Sequence, residues 1–186
     1  MENTRYVLGG AVWINLANTV NKRGVDLLDD CEKAEQWLLA NELLVGAKDG
    51  DGVQGIIVEL RLLRELCLDI LADLEQGEVA PKRVEQLQSI VETVQVRLSL
   101  SQAEDKLEMI CRGITMTDEV RYKVVHSIIH TLQHVSRERI RSCEHEECIL
   151  HFIDTSKSGK RRWCSMETCG NRQKAAEFYA RKKLQK

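Results

Sequence analysis

A chain of 186 residues, 43% of them hydrophobic, can bury one ordinary core and still carry a small module, which excludes a scaffold held by cross-links alone. No run reaches the about 18 apolar residues of a membrane span, because the best stretch, residues 7–20, is broken by Gly9, Gly10, Asn15 and Asn18. The net charge of −2 conceals a division: residues 137–186 carry 13 Lys and Arg against 7 Asp and Glu, whereas residues 1–136 carry 14 against 22, so an acidic body bears a basic tail suited to a polyanion.

In chain order, Tyr6-Val7-Leu8 and Ala11-Val12-Trp13-Ile14 flank Gly9-Gly10, a pattern that predicts two short strands about a glycine turn. Asp29-Asp30 can cap a helix over residues 31–44, with Ala34, Trp37 and Leu38 on one face and Gly46 as its stop. After a turn at residues 48–52, helical spacing over residues 56–74 places Leu60, Leu63, Cys67, Ile70, Leu71 and Leu74 toward a core. Pro81 suits the first turn of a further helix ending near Val91, since its missing N–H costs nothing there. The period then changes to two at Val94, Val96, Leu98 and Leu100 and again at Leu107, Met109 and Cys111, which predicts a hairpin. Thr117-Asp118-Glu119 opens a long helix expected over residues 118–141, running into the C-terminal module. The fold class expected is mainly α with a small β-hairpin component (α+β), followed by a small C-terminal module. The boundary is set by charge and composition and gives a helical domain over residues 1–136 and the module over residues 137–186.

The strongest signal is Cys143-x4-Cys148-x15-Cys164-x4-Cys169. Zinc takes four tetrahedral ligands, and closely spaced pairs let one turn present two thiolates from the same side. One structural zinc per chain is therefore expected on Cys143, Cys148, Cys164 and Cys169, with redox or iron–sulfur chemistry as the alternative. His145 and His151 lie nearby, but four cysteines already close the shell. Residues 151–154 and 160–163 are predicted to pair as a hairpin, with Phe152, Ile153 and Trp163 as the apolar nucleus. A helix over residues 171–184 follows, with Ala175, Ala176, Phe178 and Tyr179 available for packing, and the whole would be treble-clef-like. Arg161, Arg162 and Arg172 can offset the −2 charge of a four-thiolate site or hold phosphate, and Lys174 joins them near the metal. Arg181, Lys182 and Lys183 are too far along the helix to serve the metal and point to a polyanion.

Arg161-Arg162-Trp163-Cys164-Ser165-Met166 followed by Cys169-Gly170-Asn171-Arg172, with Phe152-x-Asp154 upstream, resembles the CGNR zinc finger. The resemblance covers residues 137–183 and implies the four cysteines as zinc ligands and a DNA-binding role in bacterial transcription regulators. The earlier segment Trp13-Ile14-Asn15-Leu16-Ala17-Asn18-Thr19, then Asp26-Leu27-Leu28 and Trp37-Leu38, resembles the ABATE domain that precedes this finger in stress-response regulators. Asn15 stands where many relatives have aspartate. Asn18 and Thr19 match, and are expected to fix a turn or cap.

His126, His130 and His134 form one helical stripe able to offer two metal ligands at most conveniently, and are expected at the edge of an apolar face. Asp49-Gly50-Asp51-Gly52 is not a calcium loop, because Val53 and Gln54 stand where an oxygen ligand and a glycine are needed. With no phosphate loop or nucleophile elbow, no enzyme is expected. The opening MENTRYVLGG has no basic n-region or cleavage site, so a cytoplasmic location with reduced thiols is expected. The function expected is a DNA-binding transcription regulator, with a zinc-stabilised interaction module or single-stranded RNA binder as alternatives. Candidate partners are DNA, a second copy in a homodimer, and a small-molecule effector of the N-terminal domain.

Overall fold

The computed structural model describes residues 6–44, 53–103 and 106–184. Six α-helices and two two-stranded antiparallel sheets occupy them, the mainly α architecture with small β-hairpins that periodicity predicts. The first element is a correction: in place of two strands about Gly9-Gly10 there is a short helix, α1 (Val12–Ala17). Asn15 explains the turn, since its Oδ1 accepts the Gly9 N–H at 2.8 Å while its own N–H reaches the Ala11 carbonyl. Trp13, Ile14 and Leu16 are all fully buried, and only a central helix enclosed by other elements can bury adjacent side chains at once.

Helix α2 (Cys31–Ala40) is capped by Asp30, whose carboxylate accepts the N–H groups of Glu32 and Lys33. It ends four residues earlier than expected. Asn41 donates to the Trp37 and Tyr6 carbonyls, and Glu42 takes a left-handed φ of 57°. The Glu42 and Leu43 N–H groups then bond to Leu39 and Leu38, closing a Schellman motif without glycine. Gly46 and the turn at residues 48–52 lie outside the described residues.

Helix α3 (Val53–Gln76) buries Leu60, Leu63, Cys67, Ile70 and Leu71 as their spacing predicts, with Leu74 half-buried. Helix α4 (Pro81–Thr93) leads into β1 (Val96–Ala103) and β2 (Lys106–Gly113), paired so that Leu98 faces Cys111 and Leu100 faces Met109. Helix α5 (Met116–His134) starts from a capping box of Thr115 and Asp118. It does not run on to Arg141. Val135 is extended and a 3-10 turn, Arg137–Arg139, redirects the chain, which lets Ile140 pack against the main core instead of passing over it. Across the core, the Trp13 indole N–H donates to Thr131 Oγ1 of α5 at 3.0 Å.

Strands β3 (Ile140–Ser142) and β4 (His151–Ile153) form the second sheet, correcting the expected pairing of residues 151–154 with 160–163. The sheet lies on the body: the Ile153 N–H reaches the Gly9 carbonyl at 2.9 Å, and Ile153 belongs to the main core. Asn18 acts as a substitute strand, its Nδ2 donating to the His151 carbonyl at 2.8 Å and its Oδ1 accepting the His151 N–H at 2.9 Å. A chain cut after Ser136 should keep the cooperative unfolding of α1 to α5 but lose about 1–3 kcal/mol with the Ile140 and Ile153 contacts. Urea unfolding checks this, and loss of the cooperative transition would make body and finger one unit.

A second interaction ties the N-terminal loop to α3. Arg64 holds Asp26 with two bonds, at 2.7 and 2.8 Å, and reaches Thr19 Oγ1 at 2.9 Å, in a site largely closed to solvent. Burial alone would push the Asp26 carboxyl up, but bonds from Arg64 and the Leu28 N–H, with the charges of Arg64 and Arg61, hold it below its ordinary value of 3.8. The pair's contribution is therefore present above pH 3.8 and is lost as pH falls through the lowered value. Asp26→Asn should cost about 3 kcal/mol at pH 7 and weaken the acid dependence of stability below pH 4, as measured by unfolding at a series of pH values.

Candidate metal centre

The polypeptide around the cysteines has little apolar material of its own, with Phe152 the one non-cysteine side chain fully buried in its small cluster among the described residues. Cys143 and Cys148 occupy the connection between β3 and β4, which is tightened by Cys143 N–H to Leu150 O at 2.9 Å and Cys148 N–H to His145 O at 2.8 Å. Cys164 precedes and Cys169 lies within a π-helical turn, Met166–Gly170, where the Ser165 hydroxyl accepts the Thr168 N–H. Helix α6 (Asn171–Leu184) leaves directly from that turn. A methyl group on Gly170 would stand 2.5 Å from Met166 Sδ and 3.4 Å from the Trp163 ring, so a larger residue here requires the Met166 side chain to swing aside.

All four sulfur atoms lie within 4.8 Å of one another. The Cys148–Cys164 and Cys164–Cys169 separations are 3.8 and 3.7 Å, far beyond disulfide length. A tetrahedron with zinc–sulfur bonds of about 2.3 Å has edges of about 3.8 Å, so the spacing fits four-thiolate coordination. The electrostatics agree. A hydrogen bond from the Cys164 thiol draws Cys148 down to about 5, while Cys164, which gives that bond and is buried, is pushed far up. Burial pushes Cys169 up to about 11. Such thiols cannot all ionise together unless a cation shares their charge, which is what a divalent metal supplies. The centre is a structural zinc site held by Cys143, Cys148, Cys164 and Cys169. Neither nearby histidine joins the four-sulfur cluster: His145 accepts the Glu147 N–H on Nδ1 at 3.1 Å, and His151 faces Glu75 at 3.8 Å.

Around the centre the predicted cations divide. Arg161 lies over the Phe152 ring, 4.4 Å from its centroid, and donates to the Trp163 and Cys164 carbonyls, so its guanidinium is committed to the fold. Arg162 pairs with Glu144 and lies 4.9 Å from the Trp163 ring centroid. Arg172 lines a cavity with Cys148, Cys164 and Cys169 and, on its other side, a second cavity with Lys22 and Arg23. Lys22 also donates to the Glu146 carbonyl. Lys22 and Arg23 escape a reading centred on the cysteines; their signal is two consecutive cations in a loop turned by Gly24. Lys174, Arg181, Lys182 and Lys183 stand exposed along α6. Contrary to expectation, Ala175, Ala176, Phe178 and Tyr179 are exposed too, because α6 projects from the metal turn without a surface to cover.

Asp154, which the motif Phe152-x-Asp154 contains, organises the loop before the second cysteine pair. Its carboxylate is buried, accepts the N–H groups of Ser156 and Arg161 at 2.9 Å each, and lies 3.8 Å from Arg141. Hydrogen bonds from Ser156, with those from the Arg161 N–H and the charge of Arg139, hold its carboxyl at about 2. The histidine stripe forms a stacked ladder on α5, with ring centroids 6.1 Å apart for His126 and His130 and 4.4 Å for His130 and His134.

Cys164→Ser should abolish stoichiometric zinc in metal analysis of the purified chain. Gly170→Ala should leave the ligands in place but weaken retention against a chelator, because Met166 or the turn must move; unchanged retention would remove the steric explanation.

Residues 139–182 match the model of the CGNR zinc finger, and residues 10–110 match the ABATE model, described as "Putative stress-induced transcription regulator". No curated protein matches the chain. The ABATE match covers more than half of the sequence and meets a four-cysteine centre of the matching type in the expected order, so the chain belongs to the ABATE family and carries a C-terminal CGNR zinc finger.

Proposed function

We propose that this protein is a transcription regulator that binds DNA through its finger, with zinc holding the binding surface in shape rather than taking part in a reaction. The observation that carries the reading is α6, which leaves the metal turn exposed along most of its length and bears Arg172, Lys174, Arg181, Lys182 and Lys183 against Glu177 alone. Cations that are not neutralised within the protein release counterions from phosphate when they meet it, which favours a polyanion. Lys22 and Arg23 beside Arg172 extend the positive surface, while Arg162 is already paired with Glu144. Arg161 supports this surface from beneath, through the Trp163 and Cys164 carbonyls. A closed shell of four thiolates offers no coordination position for water or substrate, which supports a non-enzymatic role.

One observation favours single-stranded nucleic acid as a second reading. Phe178 and Tyr179 are 56% and 70% exposed and neighbour the basic residues of α6, where they could stack on unpaired bases.

Titrations against duplex DNA, single-stranded DNA and RNA across salt concentrations separate the readings. On duplex DNA log K should fall with log salt by about 0.9 for each phosphate neutralised. Lys182→Ala with Lys183→Ala should weaken binding to all sequences and flatten that slope by about two units, with zinc content unchanged. Phe178→Ala should matter only if single strands are preferred. Absence of binding at low salt would leave the interaction-module reading.

A further inference from the structure

The hairpin of β1 and β2 has one face whose outer part no described residue covers. Paired residues share a face, so Val96, Leu98 and Leu100 on β1 lie beside Leu107, Met109 and Cys111 on β2. At its base this face meets the protein, with Cys111 reaching the Tyr122 hydroxyl of α5. Farther out it is open to water: Leu98, Leu100, Leu107 and Met109 are 61%, 75%, 73% and 71% exposed. Arg97, Ser99, Glu108 and Arg112 occupy the opposite face.

Alternation of this kind ordinarily marks a ribbon with one side on a core. Here the pattern is present, but among the described residues no core covers the outer part of the ribbon. With Val96, these residues expose about 600 Å² on each chain, at the upper end of what a monomer exposes in one patch. Two such faces pressed together would bury up to about 1,200 Å², the lower edge of the range of specific interfaces. The face has no charged residue among the described residues, so it offers no electrostatic handle for a nucleic acid or a charged protein. The described charges of the two strands lie on the opposite face, and pressing two apolar faces together buries none of them. A two-fold pairing also needs no second surface, because the patch is its own complement.

We infer that the apolar face of the β1–β2 ribbon is a homodimer interface, with Leu98, Leu100, Leu107 and Met109 packing against the same residues of a second copy. The assignment is independent of nucleic-acid binding, since it uses none of the residues of the finger.

Sedimentation of the full-length, zinc-loaded chain over a concentration series tests it, with zinc content and helical circular dichroism recorded alongside. The wild-type protein should approach twice the chain mass. Leu100→Glu with Leu107→Glu, and separately Leu100→Lys with Leu107→Lys, should each give a single-chain mass with unchanged zinc and helix. Mixing the acidic and basic variants should restore the doubled mass, because opposite charges then meet across the interface. The milder Leu100→Thr with Leu107→Thr, which keeps the strand preference, should raise the dissociation constant at least about tenfold and serves if the charged variants lose helix. A wild-type chain that stays single throughout the series overturns the proposal, as does a dimer that persists in both charged variants or charged variants that do not associate with each other.

Discussion

Negative charge on four sulfur atoms is the constraint on which the C-terminal quarter of the molecule depends. Phe152 aside, no non-ligand side chain in the small cluster is fully buried, so apolar burial cannot hold residues 143–184 in place unaided. Structural zinc in small fingers contributes about 10–16 kcal/mol of apparent binding free energy, enough to replace the missing core. The protein adds its own relief, with the Cys164 N–H directed at Cys143 Sγ at 3.4 Å and Arg172 beside the cluster. These donors surround the centre without adding a ligand, so the charge is balanced while the shell stays closed.

Because the metal fixes the finger internally, a few backbone-like contacts suffice to attach it to the body. Asn18 supplies a donor and an acceptor to His151 as a neighbouring strand would, Gly9 accepts from Ile153, and Ile153 seals the main core. All three lie in or beside α1, whose position is set by Asn15. The Asn15 amide both accepts from Gly9 and donates to Asn41 at 2.7 Å, and a carboxylate could not make the second bond. Asn15 thus has a defined structural role, and the body's geometry reaches the finger through a short sequence of hydrogen bonds.

Two elements stand away from the packed mass and differ in character. Helix α6 is polar, basic and exposed, while the β1–β2 ribbon has a dry face. Neither gains stability from the exposure. A solvated helix of 14 residues is marginal by itself, and exposed leucines on a ribbon invite association. Each is intelligible as a surface for a partner, and the two are built from separate residues, so contacts at one need not compromise the other.

The sequence alone determined the ligands, because thiolate chemistry and paired spacing depend on local chain geometry, and it determined most helices, whose faces repeat within the element itself. Leu60, Leu63, Cys67, Ile70 and Leu71 are buried where their period places them. The register of the small sheet, the end of α5 and the helical state of residues 12–17 were decided only in three dimensions. In each case the deciding partner is distant: Ile153 for Ile140, the main core for Val135, and the surrounding helices for Trp13 and Ile14. The ribbon shows the same division from the other side. Alternation of Leu98 and Leu100 with polar neighbours established a strand with a dry face, but whether that face meets a core or water depends on where the rest of the chain goes, and no local pattern contains that information.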